Sequence, residues 1–164
     1  MSGGGGSAAT LAADQIITSV SLADIEKLIV GAGFTATPSS KYPGFVDSSH
    51  PNGVRFHASG LACEDQANVR GCAGIFLMVD VSVKTMQTVL QYPDEEVTWE
   101  AINRANTEQQ LITTYFNQPN NSVMMKRVLL IGEGGHTASN IKAEIVVFPE
   151  SAKTVIDDYI WPKG

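Results

Sequence analysis

Catalytic equipment is scarce in this sequence. It holds 2 cysteines and 3 histidines in 164 residues, and aromatic side chains make up only 7%. His50, His57 and His136 stand far apart in three different elements, and no close His/Asp/Glu spacing suggests a shared metal. No GxSxG nucleophile motif is present. Gly132-Glu-Gly-Gly-His-Thr precedes a helix, but it lacks the GxGxxG pattern and the P-loop Lys-Ser/Thr, and Glu133 would repel a phosphate. That loop reads as a strand-to-helix connection. The acidic clusters Asp94-Glu95-Glu96 and Asp157-Asp158 lack calcium-loop spacing and read as solvated helix ends. No catalytic residue, metal or cofactor is expected.

Positive charge is also short. Lys and Arg number 11 against 17 Asp and Glu, a formal charge of −6. An acidic surface repels phosphate backbones, which argues against a nucleic-acid partner. No apolar run reaches the ~20 residues a membrane-spanning helix needs. What remains is ample for a core: 43% of residues are hydrophobic, in a chain of about one domain's length. Met1–Ser7 is a glycine-rich, low-complexity stretch that reads as an expression leader, and residues 1–20 together read as a flexible entry to a single domain over 21–161.

Cys63 and Cys72 lie in GLACEDQANVRGCAGIFL, between two alternating runs that read as strands over Val54–Ala62 and Gly74–Val83. Paired as a hairpin, these strands would bring the two thiols face to face where the strands end, so a disulfide is expected. Two free, partly buried thiols are the alternative. A disulfide implies an oxidising compartment, the periplasm or the exterior of a bacterium; free thiols would fit the cytoplasm.

Elsewhere the periodicity predicts a helix opened by the capping-box-like Ser21-Leu-Ala-Asp24, with Leu22, Ile25, Leu28 and Ile29 on one face and Gly31 and Gly33 at its end. Phe34–Thr37 is a short strand candidate, and Pro38–Gly53 reads as loop, packed down by Tyr42 and Phe45. GIFLMVDVSV is apolar on both faces, as in a central strand. A helix with Trp99, Ile102 and Ala105 follows, then strands over Leu111–Phe116 and Val123–Ile131 around the turn Pro119-Asn120-Asn121. The last helix starts near Thr137 or Ser139, and Pro149 is expected to kink it or begin a second one. The fold class is therefore α+β: an antiparallel sheet of about five strands packed with helices, in the order α-β-β-β-α-β-β-α.

INRANTEQQLITTYF (Ile102–Phe116) followed by VMMKRVLLIGEGG (Val123–Gly135) is the most distinctive stretch. An asparagine-bearing helix, a strand, an Asn-rich turn, a long strand, a glycine break and a C-terminal helix resemble the YbjN family, described as bacterial sensory transduction regulators. The same order of elements is similar to type III secretion chaperones, which are dimeric and bind unfolded segments of effector proteins. The resemblance implies a chaperone-like fold, a protein or peptide partner, and self-association as a homodimer.

Partner-binding candidates follow from residue type. Trp99, Tyr115 and Trp161 are large aromatics of the kind that anchor interfaces, with core packing as the competing role. Asn103 and Asn106 share a helix face, either to meet a partner or to bond backbone groups at the helix end. The leading expectation is a non-enzymatic protein- or peptide-binding module, chaperone-like or regulatory, in the bacterial envelope. The competing one is a small-molecule-binding protein or hydrolase with a pocket between sheet and helices, holding His57, His136 or an acidic residue.

Overall fold

Six antiparallel strands, ordered β2-β3-β4-β5-β7-β6, form the main sheet of the computed structural model, which describes residues 11–88 and 96–162. The strands are β2 (Thr37–Pro38), β3 (Val46–Ser49), β4 (Arg55–Asp65), β5 (Arg70–Ser82), β6 (Thr113–Asn117) and β7 (Ser122–Leu130). A separate two-stranded ladder joins β1 (Ile16–Ile17) to β8 (His136–Thr137). The helices are α1 (Leu22–Gly31), α2 (Val83–Thr88), α3 (Trp99–Glu108) and α4 (Ala138–Val155). The α+β class and the antiparallel sheet stand; the expected count of about five strands is too low.

The missed strand is β3. Prolines on both sides hide it, yet Val46–Ser49 pairs with Arg55–Ala58 of β4 and buries Val46 completely. The Phe34–Thr37 candidate shrinks to Thr37–Pro38, an edge strand of two residues ending in proline. Such an edge offers little for another strand to add to. Leu11–Val20, expected as a flexible entry, is tied down. The backbone N–H groups of Ala138 and Ser139 donate to Gln15 and Ala13, and Val20 bridges Cys72. Its attachment comes late in the sequence, where no local pattern announces it. Met1–Ser7, Asp94 and Glu95 lie outside the described residues.

The capping box forms as read: Ser21 Oγ accepts from the Asp24 N–H, and the Asp24 carboxylate accepts from the Ser21 N–H. Ile25, Leu28 and Ile29 of α1 join Ile75, Leu77 and Val79 of β5 and Ile145, Phe148 and Ala152 of α4 in one fully buried core. Pro149 starts no second helix. It sits buried inside α4, which runs on to Val155 and ends in a π-helical turn, Ile156–Ile160. Burial of Phe148, Pro149 and Ala152 along one side offsets the missing N–H bond.

The disulfide is present, and Cys63 and Cys72 are directly paired residues of β4 and β5. The strands do not end there but continue to the pair Asp65–Arg70. Alternation from the inward-facing Phe56, Ala58 and Gly60 would aim Cys63 outward. Ala62 has a φ of 51°, in the left-handed region, and this resets the phase. The bridge therefore turns inward over Gly60, where a Cβ would lie 2.3 Å from Cys72 Sγ.

Candidate functional site

The five sequence candidates divide by environment. Trp161 is fully buried and belongs to the core, which corrects its assignment to a partner surface. Its position after an apolar helix end gave the same signal as a surface anchor. Asn106 is engaged with the protein itself: its amide donates to Thr114 O and accepts from Thr114 N–H, each at 2.7 Å. The side chain thus mimics a neighbouring peptide group along the outer edge of β6. Asn103 and Trp99 are exposed on α3, and Trp99 meets Phe116 edge-on at 6.3 Å. Tyr115 is half-buried on the sheet face away from α4, with Lys126 Nζ 5.2 Å from its ring centre. These residues do not converge on one site.

The histidines are equally dispersed. His57 bonds Asp47 at 2.7 Å on the outer sheet face, His50 meets the Phe34 ring at a tilt with centres 5.3 Å apart, and His136 is exposed on β8. Among the described residues, no group of three or more His, Cys, Asp or Glu side chains is placed to hold a metal ion.

The outer face carries one strong polar cluster. Segment Ser39–Phe45 crosses it as a strap, with Phe45 against Phe76 at 6.2 Å and Gly44 O accepting from Ser59 Oγ at 2.7 Å. Tyr42 and Lys41 both donate to Asp80 Oδ2. Burial alone would raise the Asp80 carboxyl, but the bonds from Lys41 and Tyr42 outweigh it and hold the group below its ordinary 3.8. Lys41 is raised mainly by its bond to Asp80, and Tyr42 is raised first by burial and then by the same carboxylate.

The signs fix the pH response. A depressed carboxyl stabilises the fold above its unfolded value and loses that contribution as pH falls through its folded value. The raised lysine and tyrosine contribute below their ordinary 10.5 and 10.0 and lose that contribution as pH rises through the folded values. Relative to Asp80→Asn, the wild-type stability advantage should be flat between about pH 5 and 9 and shrink below pH 4 and above pH 10. Urea titrations of both proteins across that range test this; a difference that grows on acidification would contradict it.

A groove lies on the other flank of the sheet. Strand β7 pairs with β6 only from Ser122 to Lys126, yet it pairs with β5 from Ser122 to Leu130. The stretch Arg127–Leu130 thus runs past the end of β6. Ile131 donates its backbone N–H to the carbonyl of Ala73 in β5. In an antiparallel ladder the backbone groups of alternate residues point to opposite sides. The odd-numbered residues here face β5, so the N–H and C=O of Val128 and Leu130 face the open edge. No described residue pairs with them.

Beside this edge lies a cavity of about 430 Å³ whose far wall is the first half of α4, with Asn140, Ile141, Ala143 and Glu144. Arg127 reaches across to an ion pair with Glu144. The arginine side chain is 13% exposed and the glutamate 43%, yet the paired Glu144 Oε2 and the Arg127 Nη1 are both buried. Val128 is 44% exposed and Leu130 69%. The lining includes His136 and an acidic residue but no serine, cysteine, threonine or tyrosine. A second concavity, about 640 Å³, lies against Val83, Val97, Trp99 and Phe116.

The groove was not legible in advance. Both halves of β7 carry a short apolar run, Val123–Met125 and Val128–Leu130, and only the early end of β6 distinguishes the covered half from the open one. No family model matches this chain, and neither the curated proteins nor the solved structures contain a match to it.

Proposed function

We propose that this protein is a non-enzymatic protein- or peptide-binding module that takes an extended segment along the free edge of β7. The observation that carries this reading is the pair of outward-facing backbones at Val128 and Leu130 beside a groove lined by Ile131, Ile141 and Ala143 together with the Arg127–Glu144 pair. An added strand gains main-chain bonds from the edge and side-chain contacts from the groove. The other ends of the sheet are less inviting, since β2 is two residues long with a proline and Asn106 occupies the outer edge of β6.

The YbjN-like, type III secretion chaperone-like arrangement suggested by Ile102–Gly135 is consistent with such a role. The disulfide supports a periplasmic or secreted location. Among the described residues, no helix is long and apolar enough to cross a membrane. The cavity volume and the presence of His136 favour, as a second reading, a small-molecule ligand in the same groove.

Panning a random heptapeptide display library against the protein and against Val128→Pro tests the first reading. The proline removes an outward donor while leaving the ladder to β5 in place. Extended apolar peptides should be enriched on the wild type and lost on the variant. Equal enrichment on both, or none on either, would sink it.

A further inference from the structure

The bridge between Cys63 and Cys72 sits in a backbone that regular strands do not adopt. Ala62, Val69 and Asn121 are the described non-glycine residues with left-handed backbones, and the first two flank the bridge. Asn121 lies in a turn, where asparagine tolerates this conformation. Ala62 lies within β4, and Val69 is both β-branched and buried. For a residue with a Cβ the left-handed backbone is disfavoured, most of all for a β-branched one.

The closed bridge requires this backbone at Ala62, which turns Cys63 inward to meet Cys72 over Gly60. An extended Ala62 would return Cys63 to the alternation running from Phe56, Ala58 and Gly60, and so to the opposite face. Ala62 is itself exposed, so its relaxation disturbs little packing. The two sulfurs also differ in access. Cys63 is partly exposed, whereas Cys72 is fully buried and exchanges backbone bonds with Val20 at 3.0 and 2.9 Å. Attack from solvent therefore falls on Cys63 Sγ, with Cys72 as the leaving sulfur.

We propose that the Cys63–Cys72 bridge is a redox-sensitive switch, worked by a dithiol protein, in which Ala62 is left-handed in the disulfide form and extended in the dithiol form. One thiolate of the reductant attacks Cys63 Sγ. The Cys63–Cys72 bond breaks as the mixed disulfide forms, and Cys72 leaves as a thiolate that takes a proton from water. The reductant's second thiolate then attacks its first sulfur, which releases Cys63 to take up a proton and leaves the reductant as a disulfide. Two electrons pass to the bridge. Cys63 turns out to solvent while Cys72 stays seated against Val20. Leu22 N–H donates to Val69 O at 3.0 Å, so the switch sits where the entry segment and α1 meet the hairpin.

Titration with graded ratios of reduced to oxidised dithiothreitol, read by alkylation and intact mass, tests this on the wild type, Ala62→Gly and Ala62→Val. Glycine adopts the left-handed backbone freely, and valine resists it more than alanine. Half-reduction should need about a fivefold higher ratio in Ala62→Gly and about a fivefold lower one in Ala62→Val, the low end of what a left-handed Cβ costs. On reduction of the wild type, the Ala62 Cα and Cβ chemical shifts should move to extended values. Iodoacetamide should then label Cys63 about tenfold faster than Cys72, as its exposure dictates. Equal midpoints in the three proteins overturn the switch. So do left-handed shifts that persist after reduction, and so does equal labelling of the two cysteines, which a reduced chain that unfolds would also give.

Discussion

Trp161→Ala is expected to lower the unfolding free energy by about 3–5 kcal/mol, against less than ~1 kcal/mol for Trp99→Ala. Both residues present the same signal in the sequence, a tryptophan beside an apolar helix. Trp161 has no exposed surface, and its backbone N–H closes the π-helical turn on Ile156 at 2.9 Å. Truncation would remove a large aromatic surface from the core formed by α1, α4 and the sheet, and leave a cavity that packing only partly refills. Trp99 is 58% exposed and touches one ring edge. For a fold whose total stability lies in the usual range of about 5–15 kcal/mol, the first change is severe and the second minor. Urea denaturation of the two variants, followed by circular dichroism, separates them. Comparable losses in both would mean that α3 is more deeply seated than its exposure implies.

Removing the disulfide through Cys63→Ser with Cys72→Ala should cost about 3 kcal/mol by the chain-entropy estimate for so short a loop. A loss of that size lowers the melting temperature by roughly 6–12 °C in a chain of this length. The bridge acts on more than the hairpin loop. Cys72 is fully buried and exchanges backbone bonds with Val20, and Val69 in the same loop accepts from the Leu22 N–H. Freed cysteines would loosen the corner at which the entry segment and α1 meet β5. Calorimetry of the double variant beside the oxidised wild type gives the number. A shift under ~2 °C would show that Val20 and Leu22 hold the corner unaided.

Local chemistry made part of this architecture legible. Ser21 and Asp24 announced the start of α1, Pro119-Asn120-Asn121 the turn before β7, and the doubly apolar GIFLMVDVSV the interior strand β5. Each is a signal complete within a few residues. Three features were not legible, for three separate reasons. Strand β3 borrows its order from β4 and lies among prolines and glycines that resemble loop. The inward turn of the disulfide depends on a left-handed Ala62, and alanine gives no hint of that conformation. The groove exists because β6 stops at Thr113 while β7 continues to Leu130, a relation between two strands that neither sequence contains. The candidate residues followed the same division. Asn106 turned out to bond backbone, as asparagines at helix ends often do, while nothing around Trp161 marked it as interior.

The tie between Leu11–Ile17 and the start of α4 has a consequence for how the chain is made. Lys142 Nζ bonds Leu11 O across 131 positions, and among the described residues β1 ladders with β8 alone. During synthesis at about 5–20 residues per second, the first segment waits on the order of ten seconds for that partner to emerge. Among the described elements, the six-stranded sheet needs nothing later than Leu130, whereas β1 needs His136 and Thr137. Of the described strands, the one made first is thus among the last to be secured, and protease sensitivity near Ile16 on stalled nascent chains would persist until the first turn of α4 has left the ribosome.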